Sequence, residues 1–171
     1  DKTDQTTTIK TQFKVEGDTA DVVTALNKVT NTGEAKIKLK DAHDVTQLQT
    51  INNATKGAIE FFKNDVALKA SAAVLSQALE GVTGYAGTVE ISNASGNVNA
   101  SNVVKLANAM TGNKPSFART GKPIIKGNSP DVVDAFEKGN NLGVAKAHIT
   151  NNDHTASELA KINDRTSGDI I

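Results

Sequence analysis

Two short stretches of the 171-residue chain place lysines at even spacing. Lys10 and Lys14 lie in IKTQFKV, and Lys36, Lys38 and Lys40 lie in AKIKLK. In an extended chain, residues two apart point to the same side, so each set shares one surface. Ammonium groups gathered there suit an anionic ligand, such as an acidic glycan or the phosphate of a surface polymer. The plainer reading is a solvated face whose charges pair across strands. Glu60 and Glu90 are the carboxylates expected to compensate the lysines.

Acid–base and metal chemistry can be tested on three histidines, His43, His148 and His154. His43–Asp44 and Asp153–His154 could each hold a metal or shuttle a proton. Each pair also fits a solvated helix start. There is no Ser-centred elbow and no histidine pair at metal-ligand spacing. SFARTGKP invites comparison with a phosphate loop, but Ser116 occupies the place of the first glycine and Pro123 follows Gly121–Lys122. A proline-stiffened turn accounts for it. The turns NNDHTASE and NDRTSGD offer Asp153, Asp164 and Asp169 as oxygen ligands for calcium, although Asp and Asn also favour turns for backbone reasons alone. The expectation is therefore a non-enzyme with no catalytic residue, no metal and no cofactor, calcium at those three aspartates being the ion to test.

Composition narrows the partners. Nineteen basic side chains balance nineteen acidic ones, which argues against nucleic acid as a partner, since phosphate binding needs a basic surplus. Hydrophobic content of 37% with 4% aromatic means a core of Val, Ile, Leu and Ala, suited to thin repeated layers. No cysteine is present, so disulfides and thiolate sites are excluded. No apolar run approaches the ~18 residues of a membrane span. The chain starts at Asp1 without a leader, and is read as a processed or excised piece.

The elements that must position these groups repeat. Alternating runs at Ile9–Val15, Ala35–Leu39, Ile59–Phe61, Val89–Ile91 and Ala145–Ile149 predict half-buried strands. Between them, TADVVTALNKVT, AHDVTQLQTINNAT, SAAVLSQALEGV, NASNVVKLANAM, SPDVVDAFEKG and HTASELAKINDRT carry helical spacing. Most open on a capping residue. A glycine follows each: Gly33, Gly57, Gly84, Gly112, Gly139 or Gly143, and Gly168, where a left-handed turn would stop the helix.

Strand–helix units at 8–34, 35–57, 58–87, 88–113, 114–144 and 145–171 make one repeat domain of α/β class. Strands that alternate have helices on one face only. The expected fold is a single-sheet parallel β/α solenoid, a leucine-rich-repeat-like horseshoe or rod of about six repeats, with right-handed crossovers. A layered α/β domain is the rival. The expected core is Val22, Leu26, Ile37, Leu39, Val45, Leu48, Ile51, Ile59, Phe61, Leu75, Leu79, Val89, Ile91, Val103, Leu106, Ala147, Ile149, Leu159 and Ile162.

Two units match without gaps. Leu48, Ile51, Asn52, Thr55, Gly57 and Ile59 recur as Leu159, Ile162, Asn163, Thr166, Gly168 and Ile170, each 111 residues later. The pattern D-x-x-x-L-x-x-I-N-x-x-T-x-G-x-I at Asp44–Ile59 resembles repeats of very large secreted bacterial surface proteins, including adhesins and S-layer-like chains. The resemblance implies an extracellular structural or adhesive module and carries over no catalytic residue. Ile170 aligns with the first inward residue of a strand, so a seventh strand is expected to begin there. End-to-end contact with flanking repeats or further copies is then expected, through Ile9, Phe13, Ile170 and Ile171. A surface glycan bound by Lys10, Lys14, Lys36, Lys38 and Lys40 is the alternative function.

Overall fold

The computed structural model describes residues 13–29, 32–92, 96–118 and 121–171. The class is α/β, with six helices and only parallel strand pairing among the described residues. The elements run β1 (Lys14–Gly17), α1 (Thr19–Leu26), β2 (Lys36–Leu39), α2 (Val45–Ala54), β3 (Ile59–Phe61), β4 (Leu68–Ala70) and α3 (Ala72–Ala78). Then follow β5 (Val89–Ile91), β6 (Gly96–Asn99), α4 (Ala100–Ala109), β7 (Ser116–Phe117), β8 (Pro123–Gly127), α5 (Ser129–Lys138), β9 (Lys146–Ile149) and α6 (Ala156–Asn163).

Each helix packs against the next in chain order, from α1 to α6. The strand wall differs from expectation. Instead of one sheet of six strands, the described residues form three sheets of three, ordered β1-β2-β3, β4-β5-β7 and β6-β8-β9. The cause is local. The turns from α2 to α3, α3 to α4 and α4 to α5 each contain two strands where one was expected. The second strand of each pair, β4, β6 and β8, pairs outside the sheet of the first, so the described strands divide among three sheets. Beyond the named strands, Ala147 bridges Ile170 in parallel, which places the start of a further strand at the predicted position.

Leu26, Ile37, Leu39, Leu48, Ile51, Leu75, Ile91, Leu106 and Ile162 are buried between the helix stack and the sheets. Fully burying one such side chain contributes about 1.5–3 kcal/mol. Val45, Phe61 and Ile149 are only partly buried against this core, and Leu159 is half-buried.

Side chains of one coil satisfy the backbone of another. The Asp18 side chain makes no cap bond at the start of α1. Asp41, from the next coil, accepts instead from the Thr19 N–H at 2.8 Å and the Thr19 hydroxyl at 2.6 Å. At α5, Asn151 accepts from the Ser129 N–H at 2.8 Å in the same way. Asn52 donates through Nδ2 to the Ala78 carbonyl at 2.6 Å, one of the four carbonyls a helix end leaves unpaired. Thr55 donates to the Ala35 carbonyl at 2.8 Å and accepts from the Gly57 N–H at 3.0 Å. Thr166 repeats this with the Ala145 carbonyl and the Gly168 N–H.

The glycines divide by role. Gly33, Gly84 and Gly112 have positive φ, as a left-handed turn requires. Gly57 and Gly168 do not. A Cβ on Gly57 would lie 2.1 Å from the Ala35 carbonyl oxygen, and one on Gly168 the same distance from that of Ala145. These two glycines permit close approach of successive coils and do not stop a helix by a left-handed turn.

Candidate functional site

The first sheet sets the lysines. β1 and β2 pair Lys14 with Lys36, Val15 with Ile37 and Glu16 with Lys38. β2 and β3 pair Lys38 with Glu60 and Leu39 with Phe61. Ile37, Leu39 and Ile59 turn inward and are buried. Lys14, Glu16, Lys36, Lys38, Glu60 and, past the strand ends, Lys40 and Phe62 share the other face by the strand's period of two. Lys10 and Ile9 lie outside the described residues.

Glu16 compensates this face. It sits 2.9 Å from Lys14 Nζ and 3.4 Å from Lys40 Nζ. The Lys14 contact holds the Glu16 carboxyl below its ordinary pKa, and the same hydrogen bond raises that of Lys14. Both groups are open to water, so the pairs add little stability. Glu90 belongs to the second sheet and pairs with Lys69 at 2.6 Å. It compensates none of the predicted lysines, because β5 pairs with β4 and β7 and not with β3. Lys36 and Lys38 have no ion-pair partner among the described residues.

Glu16, Lys38, Lys40 and Phe62 line a shallow groove of about 320 Å³. Phe62 is 74% exposed, more than any other large apolar side chain among the described residues. Its N–H donates to the Leu39 carbonyl at 2.9 Å, so its backbone is fixed to the sheet. Sequence reasoning missed Phe62. The signal was the Phe61–Phe62 pair, since period two sends one ring inward and the other outward.

His43 was also misplaced by expectation. It is not a solvated helix-start residue but is buried, 4.7 Å from the Phe61 ring and 5.8 Å from that of Tyr85. The Tyr85 hydroxyl donates to the Val66 carbonyl at 2.8 Å. Its oxygen is therefore left to accept from His43 Nε2, at 2.9 Å, which assigns the ring proton to Nε2. Nδ1 is buried without a hydrogen-bond partner. Burial lowers the pKa of His43 and raises that of Tyr85. His148 lies on β9 opposite Lys126, and His154 is exposed, with Nδ1 3.4 Å from the Asn151 carbonyl. None of the three forms an ion pair with a carboxylate among the described residues.

The calcium candidates are not brought together. Asp169 pairs with Lys146 at 2.6 Å, which holds its carboxyl below the ordinary range. Asp164 is the C-cap residue of α6, and Asp153 is exposed. No group of three or more acidic or histidine side chains suited to a metal occurs among the described residues. Around SFARTGKP, Ser116 is in β7 and Pro123 opens β8, so these ends of the segment are strand.

Of the assembly residues, Phe13 is 40% exposed, Ile170 37% and Ile171 60%. The Ile171 N–H donates to the Ala147 carbonyl at 2.8 Å, and its carbonyl accepts from the Ile149 N–H at 2.9 Å. The inter-coil caps at Thr19–Asp41 and Ser129–Asn151 were not foreseen. They follow a signal the sequence does carry, since GDTADVV at 17–23 recurs as GNSPDVV at 127–133. No helix among the described residues is long and apolar enough to cross a membrane. No protein-family model, curated protein or solved structure matched the chain.

Proposed function

We propose that the chain is an extracellular structural or adhesive repeat module, a run of parallel β/α solenoid that stacks end to end with flanking repeats or with further copies of itself. The three sheets are read as staggered sections of one rod-like wall. The unbroken order of helix packing from α1 to α6 supports that reading. The extracellular setting rests on the likeness of Asp44–Ile59 to repeats of secreted bacterial surface proteins.

One contrast carries the stacking. Asn52 is buried and bonded to the next helix, whereas Asn163, its counterpart, is exposed. Leu48 is fully buried and Leu159 half-buried. Ile59 is 9% exposed and Ile170 37%. The same side chains that hold a following coil inside the array stand uncovered on α6 and at Ile170. A face that repeats an internal interface favours another coil of the same kind, and such head-to-tail contact propagates.

Sedimentation velocity and electron microscopy of the purified chain test this. Concentration-dependent linear growth is expected, weakened by Ile170→Asp and by Asn163→Ala. A monomer at high concentration, with both variants indistinguishable from it, overturns end-to-end assembly of this chain.

A further inference from the structure

We infer that the groove beside Phe62 is a binding site for an acidic polysaccharide, with one sugar ring stacked on Phe62 and its carboxylate met by Lys38 and Lys40. The inference is independent of end-to-end stacking, since it concerns the open face of the first sheet and not the ends.

Three observations converge. Phe62 is 74% exposed on a backbone hydrogen-bonded to Leu39. An aromatic ring held in water by a fixed strand end is a preformed platform, and its flat apolar face suits the C–H face of a pyranose. The groove walls are Lys38, Lys40 and Glu16, which supply donors and an acceptor to sugar hydroxyls. The charge then selects among sugars. On this face Lys14, Lys36, Lys38 and Lys40 outnumber Glu16 and Glu60. Glu16 is already engaged by Lys14 and Lys40. Lys38 has no ion-pair partner among the described residues, so it meets an incoming carboxylate without breaking a pair. The groove is shallow and open, as a polymer passing across the strands requires. A folded protein partner would need a wider apolar patch than one ring provides. Of the five lysines expected to bind a ligand, the groove takes in Lys38 and Lys40, and it adds Phe62.

Calorimetric titration of the whole chain tests this with three probes: polygalacturonate, neutral dextran and inorganic polyphosphate. Polygalacturonate should bind, and raising salt from 0.05 to about 0.5 M should weaken it, as screening predicts. Phe62→Ala and Lys38→Glu should each weaken it about tenfold or more, with the thermal midpoint of the Phe62→Ala chain unchanged because the ring is exposed. Dextran and polyphosphate should bind at least tenfold more weakly, one lacking charge and the other lacking a ring to stack. No binding of polygalacturonate, equal binding of polyphosphate, or a Phe62→Ala chain that binds as wild type would each overturn the inference. A Phe62→Ala chain altered only in sedimentation would instead mark the ring as a protein contact, and would overturn it too.

Discussion

His43 Nε2 lies 2.9 Å from the Tyr85 hydroxyl, joining the turn before α2 to the turn after α3. Phe61, on β3, touches both rings, at 4.7 Å from His43 and 5.6 Å from Tyr85, so the three form a triangle of contacts. The Tyr85 hydroxyl also donates to the Val66 carbonyl, two residues before β4, so the cluster ties the first sheet to the lead-in of the second.

Stability should fall with acid through this histidine. Burial holds His43 below its ordinary pKa, opposed by the Asp41 backbone and by the Asp41 and Asp44 carboxylates. The unfolded chain takes up the proton near pH 6.5, while the folded chain resists it. The contribution is therefore complete above about pH 6.5 and is lost as pH falls from there through the folded value. Asp41 has a lowered pKa because Thr19 donates to it, so its contribution is lost only at lower pH. Urea unfolding at pH 7.5 and 5.5 should show wild type losing stability and His43→Gln losing clearly less. Equal losses in both chains would count against the assignment. At constant pH 7.5, Tyr85→Phe should cost about 1–3 kcal/mol, because it leaves buried partners unmatched.

Close approach predicts a split among glycines. Gly57→Ala and Gly168→Ala should each destabilise by about 1–3 kcal/mol, the range for overpacking, because the new Cβ meets backbone that no rotamer can clear. Gly143→Ala meets nothing within 4 Å and has no positive φ. It should be neutral or stabilising by about 0.4–1 kcal/mol. Chemical denaturation of the three variants decides it, and a uniform response would contradict the geometry.

Matched leucines should differ in cost. Leu48→Ala removes a fully buried side chain and should cost about 2–5 kcal/mol. Leu159→Ala, at the matched position, starts half-buried and should cost clearly less. Equal costs measured on the dilute chain would mean that α6 is already covered.

The helices were legible because local rules decide them. Asp44 with Gln47 and Thr155 with Glu158 form capping boxes within four residues of sequence. Ile37 and Leu39 showed their strand by alternation. β6 reads GNVN, with Gly and Asn where β-branched residues would signal a strand, and β8, PIIKG, opens on a proline and has no alternation. The wall's division depended on those strands and could not be read. The lysines were visible as a pattern, but their charge balance was not. It rests on Glu16 pairing with Lys14 and, across strands, with Lys40, while Glu90 was carried to another sheet. His43 looked like a helix-start residue because its partner is 42 positions away. Phe62 needed only the inward assignment of Phe61 to be found.

The helices form one continuous stack while the strands form three separate ladders. Coils of unequal length are thus accommodated on one side only. Extra residues between α2 and α5 add strands without opening a gap between helices. Successive helices are in contact throughout, whereas the sheets share no strand. Under tension along the stack, these helix contacts would carry the load from one helix to the next. The boundaries between ladders would give first, as hinges that bend the strand side without unfolding the coils behind them. Amide exchange should then rise at the ladder boundaries before it rises in the helices.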